Sequence, residues 1–208
     1  MTVKNYSTYS VLEAVKRAGV TALRKGLNSN YLGPQDALAM LKDQISMEYP
    51  ERETQYPGVW VRFSFSQLQR LSLDPTFVEE GTSKEFQLGS FKGRMSFSIL
   101  ALSSKDRDQI AGALIHTFLF GRESETGGGF QSELSNNDYI NITPQEALLT
   151  PGGQSETIGT PWDPNKIVYE DSYSLNIQGE FASNIKTGEL VPLKSVEVIP
   201  EIKDQAWV

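Results

Sequence analysis

The alternation of apolar and polar residues predicts a long β-strand in the middle of the chain. At residues 91–101 every second position is apolar or small, and polar side chains, among them Lys92 and Arg94, occupy the positions between them. A period of two directs alternate side chains to opposite faces of a sheet. The pattern therefore predicts one polar face that includes Ser98 and one buried face that carries Met95, Phe97 and Ile99.

The strand pattern changes directly into a helical pattern. Ser103 and Ser104 interrupt the alternation, and apolar residues at 106–120 then repeat at the spacing of an amphipathic helix. A serine hydroxyl can accept a hydrogen bond from a free amide of the first turn, and Gly121 is a common kind of C-terminal stop. We expect this helix to lie across the sheet to which its own strand belongs.

Other segments show weaker forms of the same two patterns. Ser10 and Glu13 have the spacing of a capping box, and an apolar stripe predicts a first helix that ends near Gly26. A second helix is predicted at residues 35–47. The remaining strands are predicted at 59–65, 139–142, 167–169 and 173–181.

These elements predict an α+β fold, in which amphipathic helices pack on one face of a mainly antiparallel sheet. The 208 residues are enough to bury a sizeable core. We expect one domain at residues 1–184, with mobile loops near 66–84, 122–138 and 143–165. Residues 185–208 are predicted to form a C-terminal extension that only another chain orders, because they contain few apolar anchors.

Composition excludes several classes of function. The chain has no Cys and one His, which argues against disulfides, thiolate catalysis and a zinc site. Its formal charge is -7 and its cations are not clustered, which argues against tight nucleic-acid binding. No apolar run is long enough for a membrane span, and residues 1–9 lack the features of a signal peptide. We expect a soluble protein that is made inside the cell.

Candidate catalytic residues have simpler structural interpretations. His116 lies off the apolar stripe of its helix, which favours a surface or interface position. Asp74, Glu79 and Glu80 have the spacing of a solvated acidic loop. The glycines at 127–129 lack the residue order of a phosphate-binding loop. We therefore predict no catalytic residues, no metal and no cofactor, and a protein that is not an enzyme.

The most distinctive candidates are residues that suit an interface between subunits. Arg62 and Arg94 lie on a strand face that an isolated domain would leave in water, so neighbouring subunits are expected to pack there. Acidic loops would supply the opposite charge. The predicted interface residues are Trp60, Arg62, Arg94, Glu79, Glu80 and Trp207.

The order of these elements resembles the tail terminator proteins of long-tailed bacteriophages, and the related tail completion and head-tail joining proteins. The resemblance spans roughly residues 10–183. Its matching stretches are the amphipathic segment 11–24, VWVRFSF at 59–65, FKGRMSFSILALSS at 91–104, DRDQIAGALIHTFLF at 106–120 and SYSLNIQGEF at 172–181.

The resemblance implies a structural protein of the virion tail or neck, made in the host cytoplasm. Members of this family form a homo-oligomeric ring, commonly a hexamer, that ends the tail tube and contacts tail tube and neck proteins. DNA passes through the lumen without specific binding. The alternatives are another neck or tail connector protein, or an intracellular non-catalytic binding domain. The predicted helix at 35–47, the segment 143–164 and the C-terminal extension exceed what a minimal family member needs.

Overall fold

The fold is known from a computed structural model, which describes residues 2–6, 9–28, 41, 44–71, 76–79, 84–120, 130–145, 149–160 and 162–197. The α-helices in these residues are α1 (Val11–Asn28), α2 (Ser104–Phe120) and α3 (Phe130–Ser135). The strands are β1 (Thr2–Tyr6), β2 (Ile45–Ser46), β3 (Gly58–Arg70), β4 (Thr76–Glu79), β5 (Glu85–Ala101), β6 (Ile142–Pro144), β7 (Thr150–Ile158), β8 (Ile167–Asn184) and β9 (Leu190–Glu197).

The long strand β5 lies at the centre of the sheet, between β3 and β8. Both neighbours run antiparallel to it, and Phe97 stands opposite Val61 on one side and Tyr173 on the other. Among the described strands, parallel pairing joins only β1 to β4 and β2 to β3. The predicted α+β class with a mainly antiparallel sheet is confirmed.

The helices cover one face of this sheet, which we call the helix face. Met95, Phe97 and Ile99 are fully buried there, as their alternation predicts. The ring of Phe97 lies 4.9 Å from Phe118 of α2 and 5.6 Å from Phe130 of α3, measured between centroids. This aromatic contact connects both helices to the central strand.

Serine caps begin the two longer helices. The Ser10 hydroxyl accepts a hydrogen bond from the Glu13 amide at 3.2 Å, and the Ser103 hydroxyl accepts one from the Asp106 amide at 3.4 Å. Each cap satisfies a first-turn amide that has no partner within its helix. The Ser10 cap was predicted, and Ser103 is one of the two serines, Ser103 and Ser104, that the sequence indicated for α2. Helix α1 continues past the predicted end at Gly26 to Asn28.

A closed barrel forms at one end of the sheet. The first part of β5 pairs with β4, which pairs with β1, and β9 then joins β1 to the last part of β8. Because β8 also pairs with β5, the circle of strands is complete. Phe86, Ala182 and Leu193 fill the interior.

The prediction of a C-terminal extension is wrong for residues 190–197. Strand β9 pairs with β1 and β8 of its own chain, and Leu193 is 0% exposed. The alternation around it is short and contains Pro192, so it does not indicate a buried strand. Residues 198–208, including Trp207, lie outside the described part of the chain.

Segments predicted as loops contain regular structure. Strand β3 continues to Arg70, and β4, β6 and β7 lie within 66–84 or 143–165 or at their borders. Within 122–138, helix α3 buries Phe130 and Leu134 against the helix face. Strand β7 forms here because its backbone pairs with β8, although all its side chains are exposed and show no alternation of burial. Residues 121–129 are among those that the structure does not describe.

Two predicted boundaries differ from the structure. The helix predicted at 35–47 is wrong at its end, because Ile45 and Ser46 form β2 and pair with Val59 and Trp60. The strand predicted at 139–142 begins only at Ile142. Short apolar runs do not distinguish a helix end from a short strand. The strands predicted at 167–169 and 173–181 are parts of the single strand β8.

Replacing Phe97 with Ala should lower the free energy of unfolding by about 3–5 kcal/mol, because truncating a buried aromatic side chain leaves a cavity. Lys92 lies on the same strand but is exposed. Lys92→Ala should therefore change the free energy of unfolding by less than about 0.5 kcal/mol. Urea denaturation followed by circular dichroism measures both. Losses of equal size would contradict the assignment of the two faces.

Replacing Leu193 with Ala should lower the free energy of unfolding of the isolated subunit by about 2–5 kcal/mol, because Leu193 fills the barrel. Leu190 is on the same strand and 39% exposed, which makes Leu190→Ala the matched control. Its loss should stay below about 1 kcal/mol. Thermal and urea unfolding of the monomeric variants provide the comparison. If Leu193→Ala were as stable as the control, β9 would not belong to the core.

Candidate interaction surface on the outer face

The face of the sheet opposite the helices, which we call the outer face, is mostly polar. Its side chains follow from the register, because residues directly opposite one another point to the same side. Across β3, β5 and β8 the outer face carries Trp60, Arg62, Ser64, Lys92, Arg94, Ser96, Ser98, Ser172, Ser174, Asn176 and Gln178. Such a face, with no described helix across it, is where another molecule could pack.

Arg62 is held by contacts within its own chain. Its Nη2 donates a hydrogen bond to the Ser98 hydroxyl at 2.5 Å and lies 4.0 Å from a carboxylate oxygen of Glu170. Its guanidinium also lies over the Trp60 ring, 4.5 Å from the centroid. The ion pair is partly exposed and therefore weak. The position of the Arg62 side chain therefore depends on all three contacts together.

Ser98 is fully buried, which contradicts its predicted position on a solvated face. The reason is the Arg62 side chain, which extends across the outer face and covers the hydroxyl. The adjacent outer-face residue Leu100 is also buried, at 1% exposure. The outer face is therefore polar in its middle but closed at the end of β5.

Aromatic side chains close that end of the outer face. We call this group, Tyr49, Tyr56, Trp60 and Trp162, the outer aromatic cluster. The Trp60 indole donates to the Met47 carbonyl at 3.1 Å, and its ring meets that of Tyr49 edge-on at 5.1 Å. Tyr56 meets Trp162 at 5.2 Å. Tyr49 is 41% exposed, so the cluster also presents apolar surface to solvent.

The two buried tyrosines stay neutral over an unusually wide pH range. Burial raises the pKa of Tyr56 well above its usual range, and its hydroxyl donates to the Pro50 carbonyl at 3.2 Å. Burial, together with a hydrogen bond to Asp171, raises the pKa of Tyr173 to about 12. Both shifts follow from the cost of charging a desolvated phenol. Neither tyrosine is poised to transfer a proton near neutral pH.

Asp171 is a buried carboxylate on the helix face that the residue pattern did not single out. It is 3% exposed and accepts hydrogen bonds from the Tyr173 hydroxyl at 2.8 Å and the Gln154 amide at 3.3 Å. The signal that could have identified it is the alternation along β8, because Asp171 shares a face with the apolar residues Tyr173, Leu175 and Ile177. The Gln154 contact anchors β7 to β8, which is a structural role.

Arg94 and Lys92 project from the middle of the outer face. Both are exposed, and Arg94 stands between Ser64 and Asn176, which are exposed as well. Among the described residues, neither cation has an ion-pair partner. They are available to a carboxylate from outside the chain.

The predicted interface residues are brought together only in part. Trp60, Arg62 and Arg94 share the outer face, on the neighbouring strands β3 and β5. The backbone of Glu79 ends β4, where it stands opposite Val3 of β1, and its side chain is outside the description. Glu80 and Trp207 also lie outside the described residues. Pairing of Arg94 with the acidic loop stays a prediction.

The described residues contain no group of three or more metal-ligating side chains of the His, Cys, Asp or Glu type. None of their helices combines the length and the apolar character that crossing a membrane requires. His116 is half-buried on α2.

Replacing Ser98 with Ala should lower the free energy of unfolding by about 1 kcal/mol, because the hydrogen bond from Arg62 is lost in a covered position. Ser64 is on the same face but exposed, so Ser64→Ala should cost less than about 0.5 kcal/mol. Urea denaturation of both variants provides the measurement. Equal stabilities would show that the contact between Arg62 and Ser98 contributes nothing.

No protein-family model matches this chain, and no curated protein matches it. The role of the outer face therefore rests on its own physical character. It combines exposed cations, an aromatic cluster at one end and a surface formed by three long strands.

Proposed function

We propose that the protein is a structural subunit of a bacteriophage virion, a tail terminator whose ring ends the tail tube and connects it to the neck. The observation that carries this proposal is the outer face, where Lys92 and Arg94 are exposed and have no ion-pair partner within the described residues, on a chain with a formal charge of -7. An acidic protein that presents such cations on one face is suited to bind further copies of itself through charge complementarity.

The geometry assigns different roles to the two predicted interface arginines. Arg62 already contacts Ser98, Glu170 and Trp60, so we infer that it stabilises the outer aromatic cluster within the subunit. Arg94 has no such contacts, and we infer that it contacts an acidic surface of the neighbouring subunit. Such an interface joins two different surfaces, and head-to-tail repetition of it can close a ring.

Further parts of the proposal concern partners and location. The ring, hexameric by resemblance to tail terminators, contacts the tail tube protein on one side and neck or connector proteins on the other. The acidic balance of the chain supports a lumen through which DNA passes without specific binding, because a surface rich in carboxylates repels phosphates. The subunit is made in the host cytoplasm and functions in the virion.

Another phage neck or tail connector protein would satisfy the same observations. An intracellular non-catalytic binding domain is favoured by one different observation, the outer aromatic cluster, because an exposed Tyr and half-buried Trp residues beside Arg are typical of a binding interface. The mass of the native particle distinguishes a self-assembling ring from a monomeric binding domain.

Replacing Arg94 with Glu should weaken ring assembly at least about tenfold without unfolding the subunit, because like charges would then meet at the interface. Lys105→Glu is the matched control. It reverses the charge of an exposed cation in the first turn of α2, where the helix dipole favours the new carboxylate.

Native mass spectrometry and analytical ultracentrifugation at several salt concentrations measure assembly, and thermal unfolding measures subunit stability. We expect monomers of normal stability from Arg94→Glu and rings from Lys105→Glu. If Arg94→Glu formed rings of the parental mass with the parental salt dependence, the outer face would not be the interface.

A further inference from the structure

The described part of the sheet has two unpaired edges. All nine residues of β7 are exposed, and its recorded pairing is with β8 alone. Strand β3 pairs with β5 along its length, whereas its other neighbour, β2, ends at the level of Trp60. Unpaired edges present rows of backbone donors and acceptors that readily pair with another strand.

Irregular geometry divides each free edge into segments. In β7 the register shifts between Pro151 and Gly153, and Gly153 has a φ of 94°, so the strand is regular in both pairing and backbone from Gln154 to Ile158. In β3 the free edge begins after Trp60, and the register shifts between Phe65 and Gln67, so residues 61–65 form its first regular segment and residues 67–70 a second. The segments 154–158 and 61–65 are equal in length.

The two segments have the directions that an antiparallel sheet needs in order to continue. Strand β5 runs antiparallel to both β3 and β8, and β7 runs antiparallel to β8. Consequently β7 runs antiparallel to β3. If successive copies are related by a rotation that places their sheets edge to edge, β7 of one copy meets β3 of the next in the antiparallel sense.

The side-chain faces of the two segments also agree. Ser155 stands opposite Glu170 on the outer face, and Ser64 stands opposite Arg94 on the same face. Full overlap of the segments in antiparallel orientation places Ser155 opposite Ser64. A slip by one residue would put outer-face residues opposite helix-face residues, and a slip by two would shorten the overlap of the two segments. The register with Ser155 opposite Ser64 therefore combines continuous faces with the longest overlap.

The same register determines the offset between copies. Within one copy, Ser155 lies level with Gly58 through Glu170 and Leu100. The next copy must therefore be displaced by the distance from Gly58 to Ser64, about 20 Å along the strands. The strands β3, β5, β8 and β7 span about 19 Å sideways. The displacement of about 20 Å along the strands over a width of about 19 Å corresponds to a strand tilt of about 45°. This tilt lies within the range at which sheets close into barrels.

We propose that β7 of one subunit pairs with the free edge of β3 in the next copy, with Ser155 opposite Ser64, so that the sheets of the ring form one continuous antiparallel sheet. This inference rests on the proposed ring function and adds backbone pairing at the sheet edges to the contact proposed for Arg94 on the outer face. Ile158, which is 76% exposed, then lies opposite Val61 and gains apolar neighbours. Head-to-tail repetition pairs both segments in every copy once the ring closes.

Disulfide cross-linking tests this pairing cleanly because the chain has no Cys of its own. The test variant carries Ser64→Cys and Ser155→Cys. Side chains directly opposite in a ladder have Cβ atoms about 4.5–5.5 Å apart, which a disulfide can bridge with a small adjustment. The matched control carries Ser64→Cys and Glu156→Cys, which puts the two thiols on opposite faces. A third variant carries Ser155→Cys alone.

After mild oxidation of each assembled protein, a denaturing gel without reductant reports covalent chains, and native mass spectrometry reports the assembly. We expect the test variant to yield a ladder of multimers at least about tenfold more abundant than in the control, because disulfide geometry is strict. The single variant should yield few covalent dimers.

Other outcomes overturn the pairing in distinguishable ways. A ring mass with no ladder from the test variant would overturn the β7 to β3 pairing while leaving the ring function intact. Abundant covalent dimers from Ser155→Cys alone would show that two copies of β7 pair about a two-fold axis, which also overturns it. A monomeric mass for the unaltered chain at high micromolar concentration would overturn the pairing and the ring function together.

Discussion

The pairing of β5 with β8 is the constraint on which the rest of the structure depends. It extends from Phe86 opposite Asn184 to Ala101 opposite Tyr169, without a register shift. Its first part supplies two walls of the barrel, and its second part supplies the floor on which the helices pack. A slip of one residue would turn Phe97 and its neighbours to the outer face and expose the core to water, so burial on one face specifies the register of the whole ladder.

The two faces of this ladder serve different purposes. The helix face is closed by apolar and aromatic contacts that stabilise the subunit, and its buried carboxylate, Asp171, is satisfied by Tyr173 and Gln154. The outer face stays open in its middle. Contacts with Ser98 and Glu170 hold Arg62, whereas Arg94 on the next strand is exposed and has no ion-pair partner among the described residues. The two cations therefore differ in their surroundings although they have the same local sequence pattern.

Local sequence patterns correctly predicted the elements that bury one face, because burial of one face produces a regular alternation of apolar and polar residues. The alternation around Phe97, the helical repeat that follows it and both serine caps were correctly interpreted, because each depends on residues close together in the chain. Strands that bury neither face, or that bury few side chains, have no such pattern in the sequence. Strand β7 is exposed on every residue, and β9 buries Leu193 in the barrel. Their positions are decided by backbone pairing with β8.

The outer face likewise could be predicted from the sequence only in part. The sequence by itself determined that Trp60, Arg62 and Arg94 lie on the polar side of alternating strands, because side chains in a strand point to opposite faces in turn. Only the tertiary structure decided that Arg62 covers Ser98, that Tyr49 and Trp162 join Trp60 at one end, and that β3 and β7 are the free edges. These relations join residues far apart in the chain, and their distances depend on the register of β5 with both neighbours, which no local pattern records.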